Sequence, residues 1–67
     1  METFGHRLKH LRKEKKIGQI ELAHEIGVRK SIISLWEKDE CAPTLSKLIS
    51  LAKYFGVTID YLAGLEE

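Results

Sequence analysis

Near the middle of the chain lies a set of side chains suited to touching another molecule: Lys30, Ser31, Ser34, Leu35 and Lys38. If this stretch is helical, Ile33 and Trp36 define one direction at i and i+3. At 100° per residue, Ser31, Ser34, Leu35 and Lys38 then fall opposite, with Lys30 on one flank. The set offers ammonium donors, hydroxyls that donate or accept, and one apolar probe. A merely solvated face would more often carry Glu/Lys pairs, so this one fits contact; an ordinary exposed apolar residue is the other reading of Leu35. Catalysis finds no such set. No nucleophile sits beside a base, no Gly-rich loop could cradle phosphate, no carboxylate pair shares a pocket, and so small a domain has little room for a substrate cleft. His6 and His10, four apart, could grip a metal, but they lie opposite Phe4, Leu8 and Leu11 with no third ligand and read as surface histidines. The chain is therefore expected not to be an enzyme and to hold no metal, cofactor or small-molecule ligand.

The elements that position this face begin with Gln19–Glu37, QIELAHEIGVRKSIISLWE. Gln19 opens a helix with Glu21 in its first turn, where its charge suits the dipole. Leu22, Ala23 and Ile26 face inward, Gly27 stops the helix as a left-handed residue, and Val28 anchors the turn. A second helix covers about Arg29 to Lys38. So short a turn makes the two cross steeply and exposes one face of the second. In a helix-turn-helix, that face enters the DNA major groove.

Before this pair, Phe4, Leu8, Leu11 and Lys15 repeat at helical spacing, so residues 3–16 read as helix 1 until Ile17-Gly18 breaks it. Arg7, Lys9, Lys13, Lys15 and Lys16 read mostly as its solvated face. After it, Lys38 to Pro43 is a loop and Thr44 caps helix 4, whose Leu45, Leu48, Ile49, Leu51, Ala52 and Phe55 mark the core's centre. Gly56 ends helix 4. Thr58 caps a short fifth helix through Ile59, Leu62 and Ala63, which Gly64 closes. The expected fold class is all-α, with five helices and no strands.

Sixty-seven residues, 43% hydrophobic and 31% charged, describe one globular module over 1–67, with helices 2 and 3 as the binding pair. No apolar run spans a membrane and no h-region opens the chain, which points to the cytoplasm and away from a membrane partner. Cys41 stands alone, so neither an intrachain disulfide nor a zinc framework is available. The net charge is only +1, but residues 1–38 hold nine Lys/Arg against five Asp/Glu, a net of +4, and residues 39–67 carry −3. The basic half surrounds the proposed reader, which fits nucleic acid better than the total suggests.

The motifs Gly5-x-x-Leu8-x-x-Leu11-Arg12, Gln19-x-Glu21-Leu22-Ala23, Ile26-Gly27-Val28, Ile33-Ser34-x-Trp36-Glu37, Pro43-Thr44-Leu45-x-x-Leu48 and Leu51-Ala52-x-x-Phe55-Gly56-Val57-Thr58-Ile59-Asp60-x-Leu62 follow in order. From Gly5 to Gly64 the chain thereby resembles phage-repressor-type (Xre-like, lambda-repressor-like) helix-turn-helix domains. The resemblance implies that Gln19 bonds a backbone phosphate and that Lys30, Ser31, Ser34 and Leu35 face base edges, with Arg29 at the groove's mouth. Lys30 suits guanine acceptors and Leu35 a thymine methyl. It implies phosphate contacts from Lys38 and from the start of helix 4 near Thr44. Arg12 and Glu37 resemble the family's buried structural ion pair, with two exposed, unpaired charges as the bland alternative. The chain departs from the pattern at Arg29, where Ser or Thr usually caps, and at Leu35, usually a long polar reader. Lys38-Asp39-Glu40 replaces a Gly-containing basic loop, and its carboxylates should weaken phosphate binding or shift the register. Ile20 and Ile32 replace polar residues.

The resemblance implies a sequence-specific double-stranded DNA-binding regulator, a phage or mobile-element repressor. It would bind a pseudo-palindromic operator as a homodimer, because one such module buries little surface. Ile59, Tyr61, Leu62 and Leu65 are the natural dimer patch, with completion of the core as their other use. The alternative function is a protein-interaction module (antitoxin, antirepressor or adaptor) using Ile20, Ile32 and Leu35 as an apolar patch.

Overall fold

The computed structural model describes residues 2–65; Met1, Glu66 and Glu67, at the ends of the 1–67 module, lie outside the described residues. Within them run α1 (Phe4–Glu14), α2 (Gln19–Ile26), α3 (Lys30–Glu37), α4 (Leu45–Phe55) and α5 (Ile59–Ala63), with no strand among the described residues. None of these helices is long and apolar enough to cross a membrane.

One kind of stop ends every helix. A left-handed residue follows the last turn: Lys16, Gly27, Asp39, Gly56 and Gly64. The N–H of the next residue then returns to a carbonyl five positions back: Ile17 to Arg12, Val28 to Ala23, Glu40 to Leu35, Val57 to Ala52 and Leu65 to Asp60. This closure satisfies carbonyls the helix would otherwise strand, and Ile17, Val28 and Val57 lay their side chains on the core as it forms. Starts are more varied. Thr3, Thr44 and Thr58 accept the N–H groups of His6, Lys47 and Tyr61, whereas Gly18 and Arg29 make no side-chain cap.

The expected break at Ile17-Gly18 is present, with helix 1 ending two residues sooner than residue 16. The helix stops at Glu14, Lys16 turns left-handed with φ 59, and Gly18 is the extended first cap of α2. Packing of Ile17 onto the core sets the stop, and Gly18 has an ordinary φ of −86.

Each helix sends one fully buried aliphatic to the centre: Leu8, Leu22, Ile33, Leu51 and Leu62. Leu11, Ala23, Ile26, Trp36 and Ala52 close around them. The core therefore draws on all five helices. Leu45, at the first position of α4, is 68% exposed, because the apolar face of that helix reaches the core only from its second turn onward.

Arg7 was expected on a solvated face and is instead buried. Its guanidinium lies 4.4 Å from the centroid of the Tyr61 ring, and Nη1 donates to the Tyr61 carbonyl at 3.1 Å. On α1 it borders the Leu8/Leu11 stripe, and the return of α5 covers it. The aromatic face, the carbonyl acceptor and the Glu2 carboxylate 3.5 Å from Nε together offset the burial of that charge. Arg7 ties the last helix to the first.

Candidate nucleic-acid interface

The eight residues of α3 form a rod about 12 Å long, and a helix's width suits a major groove about 12 Å across. Its inner side is fixed by Ile33 and Trp36, both buried, and by an edge-on contact of the Trp36 ring with Phe4 at 6.4 Å. What remains outward is set by that anchoring. Arg29, Lys30, Ser31 and Lys38 are exposed, and Ser34 and Leu35 are half-buried at the surface. The structure thus brings the expected reading residues onto one side of one helix.

Arg29 holds the N-cap position in extended conformation and supplies no side-chain acceptor, so the first N–H groups of α3 are left open. A serine here would accept one of them. Arg29→Ser is therefore expected to stabilise the free protein by about 1 kcal/mol, read from the denaturant midpoint, while removing a cation from the candidate interface. An unchanged or lower midpoint would count against an uncapped start.

The two flanks are organised differently. Thr44 accepts the Lys47 N–H at 3.3 Å, which leaves its own hydroxyl hydrogen able to donate outward. Gln19, at the start of α2, is half-buried, and its Nε2 donates to Glu37 Oε1 at 3.0 Å. Glu37 in turn takes two bonds from Arg12, Nε to Oε2 at 2.6 Å and Nη2 to Oε1 at 3.1 Å. The Arg12 and Glu37 side chains are only 11% and 4% exposed, and the third guanidinium nitrogen, Nη1, donates to the Ile17 carbonyl at 2.9 Å. Pairing is therefore complete and bidentate, the geometry in which a buried ion pair is tolerated.

The acidic loop does not stand as expected. Asp39 turns away from the reading face: Oδ1 accepts the Gly5 N–H at 2.9 Å and Oδ2 the Thr3 hydroxyl at 2.6 Å. A carboxylate at a helix N-terminus is favourable, so this one anchors α1 to the end of α3. Glu40 remains exposed.

The apolar candidates scatter. Ile20 is 72% exposed, but Ile32 packs against the core and so leaves the Ile20/Ile32/Leu35 patch incomplete. Of the four expected dimer residues, one is drawn into the core and three keep some exposure. Leu62 is fully buried, because the short α5 turns that side chain into the core, and Tyr61 lies against Arg7. Ile59 is half-buried against the core, and Leu65, 77% exposed, is the one with a free side chain. His6 and His10 sit 3.8 and 3.4 Å from Glu2 and Glu14, each a separate exposed pair. No group of three or more His, Cys, Asp or Glu gathers for a metal ion among the described residues.

A family model described as helix-turn-helix matches residues 8–62. The chain is 39% identical over 61 residues to the uncharacterized HTH-type transcriptional regulator YobD of Bacillus subtilis (strain 168), covering 91% of this chain and 54% of that protein. It is 34% identical over 64 residues to the immunity repressor protein of Bacillus phage phi105, covering 96% and 44%. The chain thus spans about half the length of these relatives. Among solved structures it superposes with a TM-score of 0.93 and 33% identity on the P22 c2 repressor protein in complex with a synthetic operator, covering 98% of this chain and 100% of that one.

Proposed function

The chain belongs to the helix-turn-helix family, and from that premise we propose that it is a sequence-specific double-stranded DNA-binding transcriptional regulator of the phage or mobile-element repressor type. The observation that carries this reading is the outward side of α3: Lys30, Ser31, Ser34, Leu35 and Lys38, rigidly presented by Ile33 and Trp36. Lys30 reads guanine acceptors, the serines read donors or acceptors, and Leu35 lies against a thymine methyl. Arg29, Lys38, Thr44 and Gln19 hold the backbone on either side. The chemistry is recognition and not catalysis, and its place is the cytoplasm.

A single α3 reads only a few base pairs, so useful selectivity calls for two copies on a pseudo-palindromic operator. Leu65, with the outer edges of Ile59 and Tyr61, is the part of the expected dimer patch still open to a second subunit. The superposition on an operator-bound repressor and the relationship to a phage immunity repressor support the same reading.

Selection from a random duplex pool, followed by salt titration, tests it. Enrichment of an inverted repeat with a thymine in each half-site is expected, and log affinity should fall linearly with log salt. Lys30→Ala should weaken binding and reduce that slope by roughly 1 if the ammonium meets a phosphate, or relax one base position if it meets guanine. A wild-type chain with no enriched sequence and no salt slope would sink the proposal.

A further inference from the structure

The geometry points to Glu37, backed by Arg12, as a positioning residue for phosphate contact: the pair holds the Gln19 amide so that its second N–H faces out of the α2 N-terminus. This inference rests on the DNA-binding reading above and concerns how that contact is built.

The chain of bonds is specific about direction. A carboxylate accepts and never donates, so the Gln19 atom facing Glu37 Oε1 at 3.0 Å is the amide nitrogen, and the amide oxygen is turned away. That nitrogen has two hydrogens. One is spent on Glu37, and the other can reach a phosphate beside the α2 N-terminus, where Gly18 supplies no side-chain acceptor for the first-turn N–H groups. An unrestrained glutamine would present its carbonyl, which repels phosphate, in a large share of its rotamers. Glu37 removes that choice.

The arrangement brings a carboxylate near the phosphate path, and Arg12 is what makes this acceptable. Its Nε and Nη2 cover both carboxylate oxygens, at 2.6 and 3.1 Å, so the pair is neutral as seen from the groove. Three elements meet at one carboxylate: Arg12 from α1, Gln19 from α2 and Glu37 from the last turn of α3. The contact to the DNA backbone is therefore registered to the reading helix itself.

A double-mutant cycle on duplex affinity tests this. Its background is Arg12→Met with Glu37→Met, a swap of the pair for apolar chains of similar size that is expected to fold. In the wild type, Gln19→Ala should weaken binding about 10-fold with an unchanged salt slope, because a neutral donor releases no counterion. In the double-methionine background the same substitution should cost less than about 2-fold, since an unheld amide has little contact to lose. Equal losses in the two backgrounds would overturn the relay and leave DNA binding standing. Failure of the wild type to bind any selected duplex would overturn the DNA reading and the relay together. If the double variant does not fold, the ¹⁵N-labelled wild type decides. One Gln19 side-chain amide proton should be protected from exchange in the free protein and the second only with duplex bound, and two unprotected protons in the free protein would overturn the proposal.

Discussion

Gly5→Ala is expected to lower the thermal midpoint by roughly 12–24 °C, on a loss of about 3 kcal/mol. Position 5 is where α1 crosses the end of α3. A Cβ there would collide with the Trp36 carbonyl oxygen and lie 2.7 Å from that of Glu37 and 2.8 Å from Asp39 Oδ2. Two of these atoms are backbone and the third belongs to a carboxylate pinned at Oδ2 by the Thr3 hydroxyl and at Oδ1 by the Gly5 N–H, so none can swing aside as the tip of a long side chain could. The helices would have to separate, loosening the Phe4–Trp36 contact and the α1 cap together. A domain of this size holds only about 3–5 kcal/mol in its core, so the loss removes most of its margin. Gly18→Ala is the contrast, because nothing lies within 4 Å of a Cβ built there. It should cost no more than about 1 kcal/mol, mostly through the cap position. Similar midpoints for the two alanine variants would refute the close-approach account.

That crossing also marks the limit of what the residues disclose by themselves. Three helix ends are legible because Gly27, Gly56 and Gly64 each stand before an apolar residue at the close of a periodic stretch. Lys16 and Asp39 adopt the same left-handed turn with no glycine to announce it, so both stops escape a local reading. Asp39 escapes twice, since its partners Thr3 and Gly5 are 36 and 34 residues away and only the fold shows its carboxylate turned onto the start of α1. Arg7 and Leu62 are hidden for a related reason. Whether a residue at the edge of a stripe is covered depends on where α5 returns, and five residues carry too little periodicity to say. The reading face was legible because Ile33 and Trp36 fix the inside of α3, and the outside follows by rotation. Gln19 was legible as a terminus residue, but its tie to Glu37 needs α2 and α3 in their actual crossing.

Glu37→Ala is expected to cost about 3–5 kcal/mol and leave the domain largely unfolded at 37 °C, read by thermal circular dichroism. The loss measures what is stranded more than what is removed. Arg12 would keep only the Ile17 carbonyl for a guanidinium that is 11% exposed, and the Gln19 amide would lose its partner as well. Arg12→Met should be similarly damaging, because it leaves a carboxylate 4% exposed with one neutral donor, Gln19. Removing both charges together is the informative case. Arg12→Met with Glu37→Met strands no charge and keeps the volume, so it should recover to within about 1 kcal/mol of the wild type, with the unpaired Ile17 carbonyl and Gln19 amide as the residual penalty. Recovery would mean that the pair contributes little to net stability. Its presence would then be explained by what it orients, the start of α2 against the end of α3, which is what a reader of a groove must hold constant. Failure of the double variant to recover would reverse that conclusion and make the pair a stabilising element in its own right.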